Sequence, residues 1–179
     1  MEKRTFENPI IGDKVTFTKT SAETKGDYTL IDVELKAGGG NSLHFHTSFS
    51  EKFEVISGEL EVQVKKEIKV LRIGETYTVP PMVLHNFRNR TNDPIKFRVE
   101  IRPGHAGFEN CVKIGYGLAS DGLTNKKGIP SRFSHLATLL SLGDTNLPGI
   151  LTLLTSLLKW RASLAKKSGI EQKLIETYC

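Results

Sequence analysis

Three histidines and one glutamate stand out by type and spacing. Between Gly38 and Gly58 the chain reads G-G-G-N-S-L-H-F-H-T-S-F-S-E-K-F-E-V-I-S-G, which places His44 and His46 two apart and Glu51 five further on. Alternate side chains of an extended strand share a face, so both imidazoles point the same way. A turn over Thr47 to Ser50 then returns Glu51 toward them on the next strand. Two imidazoles and a carboxylate converging on one point form the start of a metal site. Taken alone, an H-x-H pair has a plain alternative, two strand histidines with no shared task. A second stretch, Gly74 to Asn89, reads G-E-T-Y-T-V-P-P-M-V-L-H-N-F-R-N and adds His85 as a fourth candidate ligand.

The two stretches together resemble the cupins. The first cupin motif, G-x5-H-x-H-x(3,4)-E-x6-G, is matched at every position by Gly38, His44, His46, Glu51 and Gly58. The second, G-x5-P-x-G-x2-H-x3-N, is matched by Gly74, Pro80, His85 and Asn89. Met82 stands where that pattern has glycine, at a tight turn that glycine enters freely. The resemblance spans about residues 8 to 104. It implies an all-β fold, the cupin jelly-roll (double-stranded β-helix) barrel of a small single-domain bacterial-type cupin, with a C-terminal α-helical extension. It also implies that His44, His46, Glu51 and His85 hold one divalent transition metal.

The elements that must position these residues are short strands broken by turn residues. Lys14–Lys19, Tyr28–Leu35, Glu51–Ile56, Leu60–Val64, Ile68–Ile73, Tyr77–Val79, Leu84–Asn89 and Ile95–Ile101 alternate or carry β-branched and aromatic side chains, and a further strand carries His44 and His46. Lys25-Gly26-Asp27, Lys65-Lys66-Glu67 and Asn92-Asp93-Pro94 separate them as turns. So many strands at this spacing imply a β-sandwich or barrel. Parity then assigns the pocket. With His44, His46, Glu51 and His85 inward, Phe53, Val55 and Phe87 follow them inside, Tyr77 joins them, and Leu43 and Phe45 face out. Such an interior suits a small, partly apolar ligand.

Past Gly117 the character changes. We divide the chain into a metal-binding barrel over residues 1–115 and a connector with helical extension over 116–179. Ser131 or Ser134 is placed to cap a short helix through Leu142, with Gly143 just beyond it. Asn146 and Pro148 open a longer helix, whose stripe of Ile150, Leu153, Leu154, Leu157, Trp160 and Leu164 recurs at helical spacing. A last short helix runs from Ile170 to Tyr178. The tail is expected to cover Leu43 and Phe45 on the barrel, or to form a homodimer contact.

Composition narrows the function classes. The apolar run from Leu147 to Leu158 is about a dozen residues where a membrane span needs about 20, so a membrane partner is not expected. The net charge is +5; residues 1–120 hold 17 basic and 16 acidic side chains, and residues 121–179 hold 8 and 4. The basic excess has no nucleic-acid motif or interleaved aromatics, so a solvated helix face is expected and no nucleic acid. Two cysteines, Cys111 and Cys179, and an N-terminus without an apolar run point to a reducing, cytoplasmic compartment. No G-x-S-x-G elbow, P-loop or dinucleotide fingerprint competes for the chemistry.

Three imidazoles and a carboxylate suit Fe, Mn, Ni, Cu or Zn. A six-coordinate ion held by four protein donors keeps positions for another molecule, the mark of a catalytic rather than a structural metal. Glu51 is also a candidate base if it is not tightly metal-bound. His105 and His135 lie outside both motifs and are expected to be surface or loop residues. The expectation is a metal-dependent enzyme on a small molecule, dioxygenase-like first and isomerase second. A metal-anchored binding or sensing module and a metal-stabilised structural protein are the alternatives.

Overall fold

The computed structural model describes residues 3–149, 162 and 166–179. Its strands are β1 (Thr5–Asn8), β2 (Asp13–Lys19), β3 (Thr29–Leu35), β4 (Ser50–Ser57), β5 (Leu60–Val64), β6 (Glu67–Leu71), β7 (Thr76–Val79), β8 (His85–Arg88) and β9 (Ile95–Arg102). The described helices are α1 (Ala106–Ser120), α2 (Phe133–Leu142) and α3 (Ile170–Tyr178). One antiparallel sheet runs β1-β2-β3-β9-β4-β7, and a second runs β6-β5-β8. This is the jelly-roll arrangement, with the apolar faces of the two sheets turned to one core.

Alternation explains why these strands form where they do. Along β3 the burial switches at every residue, so Ile31, Val33 and Leu35 enter the core while Leu30, Asp32 and Glu34 lie at the surface side. β9 and β4 repeat the pattern, and Phe53, Phe97 and Ile101 are wholly buried. Each such aromatic side chain contributes about 3 kcal/mol by leaving water. Gly58 closes the turn between β4 and β5 at φ 83°, and a Cβ there would meet Ile95 Cγ2 at 2.5 Å.

The helices cover the edge of the larger sheet. Phe108 and Val112 of α1, with Tyr116, pack against the core that contains Phe6, Val15 and Phe17. Glu109 locks α1 onto the strands, since its carboxylate accepts hydrogen bonds from Ser21 N and Thr29 Oγ1, both at 2.6 Å. On its other side α1 buries Ile114 and Leu118 against Leu174 of α3. The extension is thus tied to the barrel through α1.

Several expectations need correction. His44 and His46 do not lie on a laddered strand; the segment pairs by isolated bridges, His44 to His85 and Phe45 to Asn146. A three-glycine run and a serine precede it, and they lack the side chains that hold a regular strand. Neither Ser131 nor Ser134 caps α2, because Arg132 takes the N-cap with no side-chain hydrogen bond. β1 and α1 were not foreseen at all. Gly143 does end α2, and α3 has the expected bounds. The stripe from Ile150 to Leu164 and the run reaching Leu158 lie outside the described residues. Among the described residues, no helix is long and apolar enough to cross a membrane.

Met82 makes the turn that its glycine counterpart makes. Its φ is 65°, in the left-handed region, and its amide donates to His46 O at 2.7 Å. A non-glycine residue there carries about 1–2 kcal/mol of strain. Its side chain is 65% exposed, so removing it sacrifices little burial. Met82→Gly is therefore expected to raise stability by about 1 kcal/mol after glycine's entropy loss. Chemical denaturation checks it, and a lowered midpoint would contradict the strain argument.

Candidate metal centre

His44 and His85 face one another across a reciprocal backbone pair, with His44 N to His85 O at 2.9 Å and His85 N to His44 O at 2.8 Å. Residues paired in this way send their side chains to the same side. His46, two residues on, shares that side. Glu51 arrives from β4, where it pairs with Val79 and Ile101. A Cβ at Gly40 would lie 2.6 Å from Phe87 O, so only glycine lets this segment press so closely on β8.

The four side chains are buried, and one ligand atom from each lies within 4.8 Å of the others. His44 Nε2 is 3.1 Å from His46 Nε2, and His85 Nε2 is 2.7 Å from Glu51 Oε2. The other ring nitrogens all meet backbone carbonyls. His44 Nδ1 donates to Ser42 O at 2.7 Å and His85 Nδ1 to Val83 O at 2.8 Å. His46 Nδ1 is shared between Gly143 O at 3.1 Å and Asp144 O at 3.2 Å. A carbonyl accepts only, so these partners assign the proton to Nδ1 and turn the Nε2 atoms inward. Two inward lone pairs 3.1 Å apart repel unless a cation lies against both. The donor set therefore fits a divalent metal.

The protonation states agree. Burial holds His44 neutral down to about 4, against the pull of Glu51. Burial also lowers His46. Burial works to lower His85 too, but its hydrogen bond to Glu51 outweighs that and raises it. Burial would push Glu51 up; the His85 hydrogen bond and the neighbouring imidazoles win and hold it at about 2. Without metal, His85 and Glu51 thus form an imidazolium–carboxylate pair whose proton occupies the place of a cation. A carboxylate this acidic takes up a proton only weakly at neutral pH, which favours ligation over base catalysis.

The segment after α2 completes the centre. Asp144 Oδ2 accepts from Thr47 N at 2.6 Å, and from Ser48 N and Ser48 Oγ at 2.8 Å each. Burial opposes the charge, yet these donors keep the Asp144 carboxyl well below its ordinary range. Phe45 and Asn146 exchange backbone hydrogen bonds at 3.0 and 2.9 Å. The segment after α2 thus pairs with the half-buried Phe45 and clamps the turn between His46 and Glu51. Sequence reasoning missed Asp144, because a single aspartate after a helix-ending glycine carries no motif.

His44, His46 and Glu51 open onto a cavity of about 440 Å³. Phe53 and Phe87 line it with Val99, while Val55 packs in the core. Tyr77 is half-buried on β7, with Lys69 Nζ 5.2 Å from the centre of its ring. His105 caps α1, its Nδ1 accepting from Phe108 N at 2.9 Å. His135, expected at the surface, is buried on α2.

The comparisons with known proteins fit this picture. Residues 31–102 match the Cupin domain family model, and through this segment the chain is a member of the cupin superfamily. An RmlC-like cupin from Shewanella frigidimarina is similar at 23% identity and a TM-score of 0.51, over 59% of this chain and 89% of that one. A predicted oxalate decarboxylase from Thermotoga maritima is similar at 15% identity and 0.49, over 51% and 80%. The cupin domain of an XRE family transcriptional regulator from Enterobacter cloacae is similar at 24% identity and 0.46, over 50% and 95%. The likeness to the Shewanella protein speaks for the fold alone. No curated protein matches the sequence.

Two outcomes follow for metal binding. Burial keeps His44 neutral down to about 4 and lowers His46, while the hydrogen bond to Glu51 raises His85, so the proton of His85 is the first to compete with the metal as pH falls. The logarithm of the affinity should begin to fall above about pH 6.5, where the raised His85 takes up its proton, with a slope of about one per pH unit while His85 alone titrates. A slope near three in competition titrations would show that all three imidazoles titrate together. Asp144→Ala should weaken metal binding about 10- to 100-fold by releasing the turn beside His46; unchanged affinity would remove the clamp from the account.

Proposed function

We propose that this chain is a metal-dependent enzyme acting on a small, partly apolar molecule, with dioxygenase-like chemistry first and isomerisation second. The observation that carries the reading is the convergence of three Nε2 atoms and a carboxylate on one point, with His44, His46 and Glu51 at the wall of a cavity of about 440 Å³. A purely structural site has no need of that cavity. Iron, manganese, nickel, copper or zinc bound there would supply Lewis acidity, and the redox-active ions one-electron chemistry as well. His44, His46 and His85 would hold the ion, and ionised Glu51 would offset its charge. Phe53, Phe87 and Val99 exclude water and orient an apolar ligand body beside the donors.

A cytoplasmic homodimer is part of the same proposal. β6 is an edge of the smaller sheet and leaves Ile68 61% and Val70 45% exposed, which supports its pairing with a second copy.

The test is to load the protein with ferrous iron without oxygen, add nitric oxide as a surrogate for dioxygen, and record the paramagnetic resonance spectrum. A high-spin iron–nitric oxide signal is expected, followed by oxygen uptake with catechols, flavonols or diketones. Full iron loading without that signal would mean a closed site and would favour the structural alternative. A signal with no turnover would favour the binding module.

A further inference from the structure

The cavity has a second polar pole, away from the metal donors. Asp13 opens β2 with its side chain inward, in line with Val15 and Phe17. It is only 7% exposed and lines the same cavity as His44 and Glu51. Tyr116, two turns after Phe108 on α1, donates its hydroxyl proton to Asp13 Oδ2. Asp13 Oδ1 is buried and has no hydrogen-bond partner among the described residues.

A carboxylate oxygen left this way is costly, since burial without a donor forfeits its hydration. Burial pushes the Asp13 carboxyl up to about 6, with the Tyr116 hydrogen bond working against the rise. The wall around it is apolar, lined by Val15, Ile31 and Val33. A cost that the fold does not require points to a ligand.

We propose that Asp13, steadied by Tyr116, is the distal recognition point of the cavity, where Oδ1 accepts a hydrogen bond from a hydroxyl or amino group of the ligand. This rests on the reading of the metal centre as the other anchor of the same molecule. The register sets the length. Glu51 is level with Ile101 and Thr29, whereas Asp13 is level with Leu35, six residues further along β3. At about 3.3 Å per residue the two poles stand roughly 20 Å apart along the strands, less the curvature of the sheet and the reach of the side chains. The ligand class is therefore an elongated apolar molecule with an oxygen donor at one end and a hydrogen-bond donor at the other.

ω-Hydroxydodecanoic acid and dodecanoic acid are probes that differ only at the far end. Calorimetric titration of the zinc-loaded protein should show the hydroxy acid binding about tenfold more tightly, as a charge-assisted hydrogen bond supplies. Asp13→Leu should bind both acids equally. Asp13→Asn, nearly isosteric, keeps a neutral acceptor and should retain a preference of only about threefold. A wild type without preference, variants that keep the full preference, or a wild type that binds neither acid would each overturn the proposal. Repeating the titrations without metal separates the two readings. Affinity for dodecanoic acid that ignores the metal would undo the metal-centred reading, while the hydroxyl increment lost in Asp13→Leu would still stand.

Discussion

The structure depends on four backbone carbonyls that fix three imidazoles. Ser42, Val83 and the Gly143–Asp144 pair each take the proton of one Nδ1, so His44, His85 and His46 present Nε2 to one point. Free imidazole chooses either tautomer and turns about two bonds; here both choices are made before any ion arrives. Burial then works in the same direction by keeping His44 and His46 neutral. Glu51 supplies the only negative charge among the four and holds a proton on His85 in the absence of a cation. The centre is thus prepared for a divalent metal, with the local electrostatics and the hydrogen bonding in agreement.

Two of those carbonyls come from loops beside the motif residues, and the other two come from the segment after α2. Gly143 and Asp144 follow α2, and α2 and α3 pack beside α1, which Glu109 anchors to Ser21 and Thr29. Geometry at His46 is therefore coupled to the seating of the helical extension. The same helices wall the cavity, since Phe108, Val112 and Tyr116 of α1 and Leu140 of α2 line it. Barrel and extension together make one site. The barrel supplies the ligands, and the helices supply much of the enclosure.

Side-chain periodicity and spacing made most of this legible. His44, His46, Glu51 and His85 stand out because their chemistry is rare and their intervals repeat a pattern, and all four converge. β2 through β9 could be read because alternation in a half-buried strand leaves a period of two. α3 was legible from its polar and apolar periodicity and the glycine before it. β1 was too short for a period to emerge, and α1 was hidden by small residues and glycines within A-G-F-E-N-C-V-K-I-G-Y-G. Asp13, Tyr116 and Asp144 escaped notice for a different reason. Their roles arise from contacts over 103 and 97 residues of sequence separation, and no local pattern encodes such contacts.

The central claim is that His44, His46, Glu51 and His85 form one metal centre. The most direct measurement is metal content by inductively coupled plasma mass spectrometry, after purification without chelator and reconstitution with each candidate ion. Wild type should carry about one divalent transition metal per chain, and His46→Ala and His85→Ala should each lose most of it while keeping the wild-type circular dichroism spectrum. Wild type with less than about a tenth of a metal per chain, or variants that bind as well as wild type, would contradict the account.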